Sequence, residues 1–238
     1  MTKKYSLMYE NKSSCNIYLL IMHTPRFKNF SYVILDNNTK EAAIVDPSWN
    51  FQIVMNLVNE LKINLTKILL THSHFDHVNI VNKIVNYFDS QVFMSKDEIE
   101  FYNFKCKNLH SFNKCDLLSC GKTQFFCILT PGHTSGSACF FTNGHLFTGD
   151  TIFTEGCGIC NTKGGDPSAM YDSIQKIKEL ISPETRIYPG HSYGENPGQS
   201  LEYIIKRNIY FCIENKEDFI NFLYKSRQNQ LQDAFLPS

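Results

Sequence analysis

Thr71-His72-Ser73-His74-Phe75-Asp76-His77 is the stretch whose reading decides the fold. It gathers three histidines and one aspartate into six residues, and it begins where the apolar run Lys67-Ile68-Leu69-Leu70 ends. That run is short and β-prone, so it reads as a buried strand. His72 and His74 alternate and can point the same way, whereas Asp76 and His77 open an apolar-periodic segment and stand near a helix start. Imidazole nitrogens and carboxylate oxygens in this density suit zinc and similar borderline cations better than a merely polar loop.

Outward from this stretch the elements come in mixed order. Ser31 to Leu35 and Glu41 to Asp46 read as a hairpin turned at Asp36-Asn37-Asn38-Thr39, and Ser48 is placed to cap the helix that follows. Ile53, Val54, Leu57, Val58 and Leu61 form one helical stripe, and Val81, Ile84, Val85 and Phe88 form another; both are core. Gln91 to Ser95 reads as a strand and Asp97 to Phe104 as a short helix, while residues 105–120 read as surface loop. Phe125 to Thr130 is a strand. Ser137 to Thr142 and His145 to Thr148 form an Asn143-Gly144 hairpin. Asp166-Pro167 caps a helix whose apolar face is Met170, Ile174, Ile177 and Ile181, and Arg186 to Pro189 is the next strand.

Position carries the functional signal. His72, His133, Asp150 and His191 each stand just past an apolar strand, where loops leave a rigid scaffold and ligands gather. The last three each follow a glycine, which admits close backbone approach at a crowded centre. His23, His110 and His145 lack this setting and read as structural or exposed.

At 238 residues a single domain, 1–238, is expected, with about 196–238 as a C-terminal helical extension. The 23 basic and 23 acidic side chains cancel, so the charge balance gives no argument for nucleic acid or an anionic membrane. Ile17 to Met22 is too short for a membrane span, and a cytoplasmic location is expected. The nine cysteines then read as free thiols, and Cys157-Gly158-Ile159-Cys160 as a structural pair, because no second C-x-x-C accompanies it.

Together, His72-x-His74-x-Asp76-His77, Gly132-His133-Thr134, Thr148-Gly149-Asp150 and Tyr188-Pro189-Gly190-His191 resemble the metallo-β-lactamase-fold hydrolases, in their hydroxyacylglutathione hydrolase (glyoxalase II) branch. The resemblance spans roughly residues 30 to 195. It implies an α/β fold: a four-layer αβ/βα sandwich of two mixed sheets flanked by helices. It further implies two divalent metal ions, zinc with iron or manganese as alternatives. His72, His74 and His133 would hold the first, Asp76, His77 and His191 the second, and Asp150 would bridge them. Two such cations share a water and lower its pKa to about 7, with Asp76 as the catalytic residue that orients it. A thioester suits this equipment, since a thiol of pKa about 8.5 departs without a strong general acid.

Glyoxalase II enzymes carry a basic residue after Gly-Cys-Gly; here Ile159 follows Gly156-Cys157-Gly158. Fewer than fifty residues follow His191, which is short for a basic clamp on glutathione. Gly156-Cys157-Gly158-Ile159-Cys160, Arg186 to Tyr193 and Asn208 to Phe211 instead resemble the zinc-dependent hydrolases of bacillaene-type polyketide clusters. That resemblance implies an acyl-phosphopantetheine thioester on a small thiol or an acyl carrier protein. Ile159 would face the substrate, and Lys163 is a candidate partner for the phosphate. Lys206, Arg207, Lys216, Lys225 and Arg227 read as a solvated face, with an acidic carrier protein as the alternative. Glyoxalase II itself, a lactonase or β-lactamase, and an iron persulfide dioxygenase using His72, His133 and Asp150 stand as alternative activities. A metal-free interaction module is the non-enzymatic alternative.

Overall fold

A computed structural model describes residues 4–24 and 28–234, with side chains as far as residue 225. The chain runs β1 (Tyr5–Glu10), β2 (Cys15–His23), β3 (Lys28–Asp36), β4 (Glu41–Val45), α1 (Phe51–Leu61), β5 (Asn64–Leu69), α2 (Phe75–Val78) and α3 (Val81–Phe88). It continues through β6 (Gln91–Ser95), α4 (Lys96–Tyr102), β7 (Leu109–Phe112), β8 (Leu117–Cys120), β9 (Thr123–Leu129), β10 (Ala138–Thr142) and β11 (His145–Gly149). It ends with α5 (Pro167–Leu180), β12 (Arg186–Pro189), β13 (Gln199–Ser200), α6 (Leu201–Arg207), α7 (Ile209–Cys212) and α8 (Lys216–Ala234).

The strands form a seven-stranded sheet in the order β1-β2-β3-β4-β5-β6-β7 and a six-stranded sheet in the order β13-β12-β11-β10-β9-β8. Both are mixed. β1 to β4 pair antiparallel and β4 to β7 parallel, while α5 provides the crossover between the parallel strands β11 and β12. Period-two alternation sorts each strand onto two apolar faces. Val33, Leu35, Ala42 and Ile44 turn outward to meet Ile53, Val54, Leu57 and Ile84 of α1 and α3. Their neighbours Tyr32, Ile34, Ala43 and Val45 turn inward, onto Phe125, Phe140, Phe147 and Tyr188 of the second sheet. Ile128, Cys139, Leu146 and Ile187 face outward again, against Met170, Ile174 and Ile177 of α5 and Phe219 of α8. The result is the expected helix–sheet–sheet–helix sandwich, held by three apolar layers.

The structure departs from the sequence reading in two places. Residues 105–120 are not plain surface loop; they hold β7 and β8, which form one edge of each sheet and carry the chain from the first to the second. Leu109-His110-Ser111-Phe112 is a short, half-exposed edge strand, so its composition is that of a loop. The cap of α1 is Asn50, not Ser48: Asn50 Oδ1 accepts the Ile53 N–H at 3.3 Å. Trp49 at φ +56° turns the chain before the helix begins, which leaves Ser48 fully buried behind it. Asp166 caps α5 with Pro167 in the first turn, as its spacing predicts. Among the described residues no helix is long and apolar enough to cross a membrane.

Candidate metal centre

Four strand ends converge on one rim. β5 leads into His72 and His74, and the single turn α2 then presents Asp76 and His77. From the second sheet come His133 after β9, Asp150 after β11 and His191 after β12. Potential ligand atoms of His72, His74 and His133 lie within 4.8 Å of one another, as do those of Asp76, His77 and His191. Asp150 lies between the two groups, with Oδ2 3.6 Å from His133 Nε2 and 3.3 Å from His191 Nε2, and Oδ1 3.4 Å from His77 Nε2. All seven residues singled out from the sequence are thus brought together.

Two glycines make this crowding feasible. A Cβ on Gly190 would sit 2.6 Å from Asp150 Oδ1, and one on Gly158 would sit 2.1 Å from the Asp150 carbonyl and 2.8 Å from His133 Nδ1. Any side chain at either position would push ligand groups apart. The second glycine of Gly156-Cys157-Gly158 therefore has a steric role at the centre itself.

Backbone and side-chain acceptors fix the ring orientations. His133 Nδ1 meets the Ile159 carbonyl at 2.7 Å, and His191 Nδ1 meets the Lys28 carbonyl at 3.2 Å. His77 Nδ1 lies 3.1 Å from Asp46 Oδ2. In each case the Nδ1–H is donated away and Nε2 is left facing the centre. Asp46 also accepts the Thr71 N–H at 2.8 Å and the Thr71 hydroxyl at 2.6 Å, which fixes the residue preceding His72.

The electrostatics differ across the rim. Burial, with the neighbouring histidines adding to it, holds His72 well below the ordinary imidazole pKa. Burial likewise lowers His74 and His133, against the pull of Asp150. At His191 burial is outweighed by Asp150 and Asp76, which push its pKa up to about 11; at His77 Asp150 and Asp46 raise it in the same way. Asp76 and Asp150 stay well below the usual carboxylate range despite burial, because these histidines lie against them.

The residues fit a metal ion on the geometry alone. His72 Nε2 and Asp150 Oδ1 are buried without a hydrogen-bond partner. His133 Nε2 faces His74 Nδ1 at 2.9 Å, and His77 Nε2 faces His191 Nε2 at 3.2 Å. Orphaned acceptors and opposed ring nitrogens are the arrangement that a shared cation reconciles.

A groove of about 770 Å³ opens over the centre, walled by Lys28, Phe75, Phe153, Cys157, Ile159 and Tyr193 among others. Ile159 lines it and is 56% exposed. Lys163 is not among the lining residues; its Nζ lies over the Phe101 ring, 5.8 Å from the centroid. Cys157 forms part of the wall, and burial raises its thiol well above the ordinary pKa. All nine cysteines are free. Of the other histidines, His145 is buried against Tyr9, 4.2 Å between centroids, and His23 and His110 are exposed.

Four residues around the ligands were not singled out from the sequence. Asp46, Asn29, Trp49 and Glu98 hold the ligand loops by hydrogen bonds. Asp46 carried a usable signal, since it ends the apolar run Ala42-Ala43-Ile44-Val45 as Asp150 ends its own strand.

Residues 24–191 match the family described as the Metallo-beta-lactamase superfamily. The chain belongs to this superfamily. Within the metallo-beta-lactamase superfamily it is 48% identical over 204 residues to the "Probable polyketide biosynthesis zinc-dependent hydrolase BaeB" of Bacillus velezensis, covering 86% of this chain and 90% of that relative. It is 46% identical over 202 residues to the similarly described PksB of Bacillus subtilis, covering 85% and 89%. The resemblance carried by Gly156 to Cys160 thus extends along most of the chain. Among solved structures, ETHE1 from Myxococcus xanthus shares the fold at a TM-score of 0.76 and 24% identity, over 98% of this chain and 92% of that one.

Proposed function

We propose that the chain is a metal-dependent hydrolase of acyl thioesters, with an acyl-phosphopantetheine arm as substrate in polyketide biosynthesis. The observation that carries the choice of thiol is Ile159: an exposed apolar side chain lines the groove where a glutathione enzyme needs a cation. Among the described residues Lys28 is the only Lys or Arg lining that groove. Glutathione brings two carboxylates whose desolvation needs charge-assisted partners, whereas a pantetheine arm is neutral along most of its length. The two polyketide-type relatives support the same reading.

On this reading His72, His74 and His133 would hold one zinc ion, Asp76, His77 and His191 a second, and Asp150 would serve both. Such ions supply Lewis acidity and a water of lowered pKa. The chain's own residues do the rest. Asn29 Nδ2 donates to Asp76 Oδ2 at 3.0 Å and to the Asp76 carbonyl at 2.9 Å, so this carboxylate has one orientation. Held ionised, Asp76 accepts a hydrogen bond from the attacking water and aims it; the proton released ends on the departing thiolate or in solvent. Phe75, Phe153 and Tyr193 line the groove and offer apolar surface to an acyl chain. The departing thiol, of pKa about 8.5, leaves as thiolate, which removes the need for a general acid.

A docking face for a carrier protein finds less support. Lys206 pairs with Glu202 at 2.6 Å, Lys216 pairs with Asp172 at 2.7 Å, and Arg207 lies over the Tyr203 ring; the Arg227 side chain lies outside the described residues. The test is kcat/KM for one acyl group on pantetheine and on glutathione. The pantetheine thioester is expected to be cleaved faster, and Ile159→Arg should move the preference toward glutathione by roughly one to two decades, the value of one charge-assisted contact. Faster glutathione cleavage by the wild type would overturn the choice of thiol.

A further inference from the structure

Glu98 is fully buried and has no Lys or Arg partner among the described ion pairs. It sits in the first turn of α4, directly behind the ligand loops, and touches none of the seven ligands by hydrogen bond. Its two oxygens instead receive four donors from two loops. Oε1 accepts the Ser73 N–H at 2.8 Å and the Ser73 hydroxyl at 2.6 Å. Oε2 accepts the Thr134 hydroxyl at 2.8 Å and the Gly136 N–H at 2.9 Å. Ser73 lies between His72 and His74, and Thr134 follows His133. The same helix start adds a return bond, from the Ser95 hydroxyl to the Gly136 carbonyl. The fit is tight: a Cβ on Gly136 would lie 2.1 Å from the Glu98 nitrogen.

A buried carboxylate is costly unless its hydrogen bonds are all made, and here they are made only to the neighbours of three ligands. We propose that Glu98 is the positioning residue for the His72, His74 and His133 half: it locks the β5 loop and the β9 loop, from opposite sheets, at the separation one ion requires. It also places a negative charge behind three ligands that are themselves neutral, which favours a dication there. The Asp76, His77 and His191 half is supported by Asn29 and by Asp46, which also holds Thr71 beside His72, and receives no hydrogen bond from Glu98.

This inference rests on the two-ion reading, and the experiment separates the two. Zinc binding to the full chain, stripped of metal, is titrated against a competing chelator, and cobalt(II) absorption is recorded in parallel. His133→Ala and His191→Ala mark which step belongs to which half. Fewer than two ions on the wild-type chain would count against the two-ion reading, while the three-histidine step remains measurable. Glu98→Gln keeps the size of the side chain but opposes an NH2 to the Gly136 N–H. It is expected to weaken the His133-dependent step by about tenfold or more, alter the cobalt spectrum of that step, and leave the His191-dependent step within about twofold. Should Glu98→Gln not fold, Ser73→Ala and Thr134→Val each delete one hydroxyl bond and should each weaken the same step several-fold. Equal weakening of both steps, or no weakening of either, would overturn the proposal, since a merely structural role would not single out one half.

Discussion

On the proposed reading, the two halves of the candidate metal centre are built from similar side chains and held by different anchors. His72 and His133 keep 1% and 3% of their surface, and the three-histidine half is anchored from behind by a buried carboxylate. In the other half the side chains of Asp76 and His191 keep 24% and 12%, and the anchors include the neutral amide of Asn29, itself held by Trp49 Nε1 at 2.8 Å. Both halves lean on a buried carboxylate, Glu98 behind Ser73 and Thr134 and Asp46 against His77 Nδ1; the acidic half adds the amide of Asn29, which orients Asp76 without adding repulsion. Neighbouring carboxylates then decide the direction of the shifts: His77 is as buried as His72, yet Asp150 and Asp46 raise its pKa against burial while His72 is held down.

Asp150 is where the comparison can be broken outright. Asp150→Ala should cost both halves their ion and lower kcat/KM by about a thousandfold or more, the scale of several kcal/mol of Lewis-acid stabilisation. Metal analysis of the purified variant checks this; a full ion retained in one half would show that the halves are independent.

The second test uses pH. His191 has a raised pKa of about 11, so in the metal-free chain it carries a proton at neutral pH that an ion must displace. Affinity of the acidic half should therefore rise with pH by at least about tenfold per unit across pH 6.5 to 8.5, the share of His191 alone, with His77, also raised, adding to the slope. His72, His74 and His133 lie below the ordinary value of 6.5 and hold no proton in that window, so the other half should show almost no slope. Chelator competition at several pH values, with proton release measured in the same runs, distinguishes the two; parallel slopes would remove the electrostatic contrast.

The smallest effects sharpen it. Asn29→Ala should weaken the acidic half by about tenfold and leave the three-histidine half unchanged. Trp49→Phe keeps the ring against Phe75 but deletes the indole donor to Asn29, and should cost a few-fold at most, the worth of one net hydrogen bond. Zinc titration resolves both, and a Trp49→Phe effect as large as that of Asn29→Ala would mean that the indole, not the amide, orients Asp76.

The seven converging side chains were legible because His72, His133, Asp150 and His191 each stand just past an apolar strand and the other three lie within five residues of His72. Those signals are local, as are the cap at Asp166 and the stripes of α1, α3 and α5. What holds the ligands was not legible, because it is a matter of pairing across the fold. Glu98 reaches Ser73 and Thr134, and Asn29 reaches Asp76, through contacts 25 to 47 residues apart in the chain. Nothing within a short window distinguishes Glu98 from the exposed acids beside it on α4. β7 and β8 escaped for a related reason: four-residue edge strands with one buried face share the composition of loops.

The ligand order along the chain has a consequence for how the protein matures. His72 emerges early in synthesis and His191 well over a hundred residues later, from the opposite sheet. A growing chain can therefore offer a partial chelate long before the last donor exists, and only docking of the two sheets completes it. On the proposed ligand set, capture of the full pair of ions requires that synthesis has passed residue 191 and that the sandwich has closed, so a chain truncated or misassembled before that point cannot hold both.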